Sequence, residues 1–294
     1  MSTTRFITII CWIISALALI GLTIFFIFNL NVGFNFVGIE VGSFEPVGTH
    51  NVPVGNINSL SIDWISGSVE VRVHDGNEIQ ITEYARRTLR DSDKLGFSVS
   101  DNTLEITFTE RRINIGNMPS KQLEVLIPRS LSQNFDNLDI TTISGRIYVS
   151  GMLANEFAAR ATSGRINISD IQAETIRLQT VSGNIFTSNI QTQTLTTNTT
   201  SGRHELEGNF TNVTARSVSG RIEVTSPIVP ESLEARATSG RIYVTVPRQD
   251  ALSVQYSTTS GRFTSEIPVV THGGSNAQFN LSTTSGRISI FELP

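Results

Sequence analysis

Seven arginines at one offset are the residues of this chain best placed to do chemistry. Arg146, Arg165, Arg203, Arg221, Arg241, Arg262 and Arg287 each stand two positions after the serine of a Ser-Gly-Arg triplet. A guanidinium is planar and permanently charged, and it pairs bidentately with phosphate or carboxylate. Stacked in a fold, these side chains would form a ribbon that grips repeating anionic groups. The competing use is structural: a solvated corner whose arginines pair with nearby acids or cover apolar surface with their stems. Other chemistry is sparse. His50, His74, His204 and His272 lack zinc-site spacing with one another, with cysteine or with carboxylates. His204 takes the place of an inward isoleucine and is expected at a coil edge, bonded to backbone. Nucleophile elbows, phosphate-cradling glycine loops and calcium-loop acid spacings do not occur. These residues predict no catalytic centre, no cofactor and no metal.

The arginines must be positioned by the elements around them. The repeat serines are Ser144, Ser163, Ser182, Ser201, Ser219, Ser239, Ser260 and Ser285, and an isolated Ser-Gly pair sits at Ser66-Gly67. Only Ser182-Gly183-Asn184 lacks the arginine. Steps of 19, 19, 19, 18, 20, 21 and 25 residues separate the eight serines. A period of this length marks stacked units that cannot bury their apolar faces alone. Ahead of each serine, residues alternate as in Leu138, Ile140 and Thr142, the pattern of a strand with one buried face. After it, Ile147 and Val149 or Ile166 and Ile168 resume the alternation. The inward positions two before and three after the serine are an odd number of steps apart, so the chain must bend at Ser-Gly. Glycine there is expected to supply a positive φ. A unit of about 19 residues suits one coil of a parallel β-solenoid, with coils roughly 4.8 Å apart. The alternative is an antiparallel meander or a propeller, and a four-stranded propeller blade needs about 40 residues.

Residues 132–294 are therefore expected to form the Ser-Gly-Arg solenoid, and residues 59–131 an irregular β cap over its open end. Glu78 to Tyr84, Leu104 to Thr109 and Leu123 to Ile127 read as strands of that cap. Residues 31–58, with repeated Gly and Pro, read as an extended linker. Phe6 to Leu30 is a run of 25 mostly apolar residues without a charge, long enough as a helix to cross a bilayer. Residues 1–30 are thus expected to be a cytoplasmic stub and a transmembrane helix that anchors the chain, with Arg5 inside and the repeats outside. A cleaved signal peptide is the rival, with Ala16-Leu17-Ala18 as its cleavage site. The sole cysteine, Cys11, lies in this run, so no internal disulfide can form. The net charge of −4 argues against nucleic acid as a partner.

The units resemble the bacterial putative-adhesin family, an envelope domain of Ser-Gly-centred β-repeats. The residues that carry the likeness are Leu60-Ser61-Ile62, Ser66-Gly67-Ser68-Val69-Glu70-Val71, Glu78-Ile79-Gln80-Ile81, Leu104-Glu105-Ile106, Leu123-Glu124-Val125 and the Ser-Gly-Arg-Ile units. They run from about Val52 to the C-terminus. The resemblance implies a role at the cell surface or in envelope stress, and it brings no catalytic residue. The reading is a single-pass membrane protein with an extracellular, adhesin-like solenoid. Its partners would be an anionic cell-wall polymer, lipid head groups or another envelope protein. A structural spacer or self-associating stalk is the alternative. A polysaccharide-acting enzyme is the third reading, and the residues speak against it. Asp170, Glu174, Glu223, Glu234 and Glu266 share no row of the repeat, and past Trp64 the platforms expected for sugars reduce to four tyrosines.

Overall fold

A computed structural model describes residues 43–109, 120–133, 135–271 and 277–294. The transmembrane helix expected over 6–30 lies outside these residues, as does the His272–Ser275 loop. Among the described residues no helix is long and apolar enough to cross a membrane.

The N-terminal part of the domain contains β1 (Glu45–Pro53), β2 (Ser59–His74), β3 (Glu78–Ala85), β4 (Gly96–Ser100), β5 (Thr103–Thr107) and β6 (Lys121–Pro128). The repeats supply β7 (Phe135–Ser150), β8 (Leu153–Ser163), β9 (Ile166–Ser169), β10 (Gln172–Ser182), β11 (Ile185–Ser201) and β12 (His204–Ser219). The last coils are β13 (Ile222–Thr225), β14 (Ser232–Ser239), β15 (Ile242–Val246), β16 (Leu252–Ser265), β17 (Val269–Val270) and β18 (Gln278–Glu292).

Successive repeats pair in parallel and in register. Ser182 of β10 lies opposite Ser163 of β8 on one side and Ser201 of β11 on the other. The fold is all-β, a parallel β-solenoid of Ser-Gly-centred coils. Rows of like residues follow. One inward row reads Ile147, Ile166, Ile185, His204, Ile222, Ile242 and Ile288 along the layers. All are fully buried. The phase change at the corner is visible in burial: Thr142 and Ile147 are buried, whereas Ile143 and Ser144 between them are exposed.

Chain order and layer order differ at both ends. The first Ser-Gly strand, β2, lies between β7 and the β5–β6 layer and pairs in parallel with all three. The last strand, β18, enters between β14–β15 and β16. The first and last Ser-Gly strands are thus hydrogen-bonded on both sides, which keeps them from becoming open edges. The 25-residue final step gives the chain the length to turn back into this slot.

Antiparallel strands close the β5–β6 end: β3 pairs with β6 and β4 with β5. The linker expected over 31–58 contains a strand, because β1 pairs antiparallel with β3 from Glu45↔Ala85 to Pro53↔Glu78. Its prolines disguised it; an edge strand tolerates them where the missing N–H would face outward.

The glycines of the corner do not serve mainly to supply positive φ. Among the Ser-Gly pairs only Gly67 has one, at 101°. The cause is close approach. A Cβ on Gly164, Gly183 or Gly202 would lie 1.7 Å from the carbonyl oxygen of the preceding corner glycine. The column continues through Gly220, Gly240, Gly286 and Gly261, in the layer order just described. The row two before serine reinforces it, since the Thr180 and Thr283 hydroxyls donate to Gly164 and Gly240 carbonyls at 3.3 and 3.1 Å.

A second corner lies seven residues after the serine. Gly151, Asp170, Asn189 and Gly208 occupy it, and all four have positive φ. Asp and Asn tolerate that region better than other side chains. Asn189 also donates to the Asp170 carboxylate at 2.6 Å across two layers.

Candidate functional site

The register places the seven arginines in one column. Backbone bonds from Ile147 to Arg165, from Ile185 to Arg203, from His204 to Arg221 and from Ile222 to Arg241 tie neighbouring members together. Arg262 lies opposite Arg287 in the last two layers. Asn184 occupies the one gap, between Arg165 and Arg203. The side chains are exposed, except that Arg221 is half-buried.

Their environments divide the column. Arg203 pairs with Glu205 at 2.6 Å and Arg221 with Glu223 at 2.8 Å. The Glu205 carboxylate holds the Arg203 guanidinium above its ordinary pKa. Arg165 stacks over the Phe186 ring at 5.2 Å, and Arg221 over Tyr243 at 5.5 Å. Among the described residues Arg146, Arg165, Arg241, Arg262 and Arg287 make no ion pair.

The arginines on the outward face ahead of the corner behave differently. Arg160 meets Asp139 at 2.7 Å, Arg177 meets Glu156 at 3.0 Å, and Arg216 meets Glu234 at 2.6 Å, each across adjacent layers. That face neutralises its charge internally. The corner column leaves most of its guanidinium edges open.

A groove of about 890 Å³ runs along the outward face after the corner. Its row reads Glu70, Tyr148, Asn167, Phe186, Glu205 and Glu223. This corrects the expectation that acids and aromatics are scattered. Glu70 and Glu205 share this row with Glu223, and Phe186 adds a ring two layers from Tyr148. Tyr243 and Phe291, 5.9 Å apart, line an adjoining hollow of about 370 Å³. Glu205 and Glu223 are held by arginines, and Glu70 lies 3.5 Å from Arg72. Carboxylates committed to guanidinium make poor general bases. Among the described residues no cluster of His, Cys, Asp and Glu could hold a metal ion.

His204 is not at a coil edge, and its ring is not bonded to backbone among the described residues. It is fully buried in the isoleucine row, with Nδ1 2.8 Å from the Thr197 hydroxyl. Thr197 in turn stands between Leu178 and Ala215 of the adjacent layers. Nε2 has no hydrogen-bond partner among the described residues. Burial pushes the imidazole pKa from 6.5 down to about 4. Above pH 6.5 neither folded nor unfolded chain protonates it. As pH falls from 6.5 towards 4, the unfolded chain binds a proton that the folded chain refuses. Stability should drop by roughly 3 kcal/mol over that window and level off below it. Urea unfolding at pH 7 and pH 4.5 checks this, because His204→Leu should lose much less stability than the parent. Equal losses would show that His204 is not the titrating group.

Sequence reasoning also missed a buried ion pair next to the column. Lys121 and Glu83 are both buried and lie 2.5 Å apart. The ammonium donates to the Asp93 carbonyl at 2.7 Å and to the Phe108 carbonyl. It sits 4.0 Å from the Phe108 ring centre and 5.1 Å from that of Trp64. Burial pushes its pKa below the usual lysine range, against the pull of Glu83. The Lys121 backbone carbonyl also packs against Gly67, where a Cβ would lie 1.7 Å from it, at the start of the glycine column. That chain uses lysine only twice was the available signal.

A model of the Toastrack DUF4097 family matches residues 57–291. No curated protein matches the chain. Among solved structures, a putative adhesin from Bacteroides fragilis superposes with a TM-score of 0.54 at 12% identity, covering 83% of this chain and 96% of that one. A putative lipid binding protein from Parabacteroides distasonis gives a TM-score of 0.52 at 16% identity, covering 84% and 98%. At these identities the likeness is one of fold.

Proposed function

The chain belongs to the Toastrack DUF4097 family, and on that premise we propose that it is an adhesin-like binding module of the bacterial envelope that performs no catalysis. In this reading residues 6–30 anchor it in the membrane with the repeats outside. The corner column is its binding surface, and the ligand is an extended array of anionic groups on a wall polymer or on lipid head groups. The names borne by proteins of similar fold, adhesin and lipid binding protein, are in keeping with such a role.

One observation carries the proposal. Arg160, Arg177 and Arg216 ahead of the corner are paired with acids across layers, whereas five of the seven in the column make no ion pair among the described residues. Repeat duplication accounts for one residue type at one offset. It does not account for leaving that row unpaired while the neighbouring face is neutralised. The column also repeats at the layer spacing of roughly 4.8 Å, so contacts to a polymer would add along its length.

Salt dependence tests the reading. Binding of the full-length chain to purified cell walls and to vesicles containing an anionic lipid should weaken steeply between 50 and 300 mM salt, because exposed contacts are screened. Affinity that does not change over this range would contradict an electrostatic surface.

A further inference from the structure

We propose that Arg86, Arg146 and Arg165 form a discrete site for a phosphate monoester or diester where the cap meets the first repeats. The inference rests on the reading of the corner as an anion-binding surface and gives it a defined subsite and ligand class. The three arginines line a single hollow of about 480 Å³, together with Ser68, Ser144 and Ser163. No described carboxylate lines it. Arg146 and Arg165 come from adjacent layers of the column, and Arg86 reaches in from the end of β3. The cap therefore completes the site, which the repeats alone cannot build.

Two of the guanidiniums lie over aromatic rings and pair with no acid among the described residues. Arg86 lies 4.7 Å from the Phe44 ring centre and Arg165 5.2 Å from that of Phe186. A ring face attracts the guanidinium charge without occupying its N–H donors. Three permanently charged forks and neighbouring hydroxyl donors suit an oxyanion with several acceptor oxygens. A phosphate group has these and also spreads its charge over them. A neutral sugar would leave the guanidiniums uncompensated.

The probe is glycerol 1-phosphate, titrated calorimetrically into the full-length chain in neutral detergent at constant ionic strength. A second arm replaces it with phosphatidylglycerol doped into the micelles, which separates a lipid head group from a free phosphate. Arg86→Gln alone, outside the repeats, should weaken binding about tenfold, as expected for losing a charged hydrogen-bonding group. The triple change Arg86→Gln, Arg146→Gln, Arg165→Gln should abolish it. Arg160→Gln, Arg177→Gln, Arg216→Gln together, on the outward face ahead of the corner where each arginine pairs with an acid, should alter it less than twofold. Binding by the parent in either arm, lost in the first set and kept in the second, supports the site. Failure of the parent to bind either probe overturns it, as does equal loss in both sets. If cell walls still bind with the salt dependence described above, the general reading of the column survives and only the discrete site falls.

Discussion

Replacing Gly183 by alanine should cost about 3 kcal/mol or more, or prevent folding altogether. The new Cβ would lie 1.7 Å from the Gly164 carbonyl oxygen, 2.7 Å from its carbon and 2.9 Å from Thr180 Oγ1. Backbone on the opposing layer cannot rotate away as a side chain can. The layers must part locally, and the bond from Gly183 N to Ser201 O at 3.1 Å is then strained as well. Overpacking of this kind typically costs 1–3 kcal/mol, and the cost rises where backbone must move. Ser182→Ala at the exposed neighbouring position should stay within about 0.5 kcal/mol of the parent. Denaturant midpoints of the two variants give the comparison. A Gly183→Ala protein as stable as Ser182→Ala would mean that the layers are not in the contact described.

The second large effect is expected at Lys121. Lys121→Met leaves the Glu83 carboxylate buried with, among the described residues, only the Leu95 N–H donating to it, at 3.1 Å, and it strips a donor from two carbonyls. Breaking a buried pair from one side costs about 3–5 kcal/mol, or on the order of 10 °C in Tm for a domain of this size. Adding Glu83→Gln should recover a large part of that loss, because the uncompensated charge is gone. Thermal unfolding of the single and double variants measures the coupling. A single variant within 1 kcal/mol of the parent would contradict the pairing.

These two positions also show where the sequence was readable and where it was not. The strands on either side of each serine follow from period-two alternation, and the column of arginines follows once the triplet fixes the phase. Both are local signals. The reason for the glycine is not local, because it lies in the carbonyl of the neighbouring layer. The second corner was hidden by variety: Gly151, Asp170, Asn189 and Gly208 share a tolerance for one backbone region, not an identity. The insertion of β2 and β18 into the stack depends on which long-range pairings win, and a repeat read in chain order cannot show it. Lys121 and Glu83 are distant in sequence and belong to no repeat. The groove was missed because Glu70, Tyr148, Phe186 and Glu205 meet only through register, one from each of several layers. His204 and Thr197 look like two unrelated departures from an apolar pattern until the fold places one against the other.

The central claim is that the unpaired corner arginines are there to bind. Changing Arg146, Arg165, Arg241 and Arg287 together to Gln in the full-length chain removes open guanidinium edges without touching glycine column, core or ion pairs. Sedimentation with purified cell walls and with anionic vesicles, read beside Tm, is the measurement. The account predicts a loss of binding of about 100-fold or more, since multivalent contacts multiply, with Tm within about 2 °C of the parent. Undiminished binding by this variant, or a large fall in Tm with binding intact, would contradict it and make the column part of the scaffold.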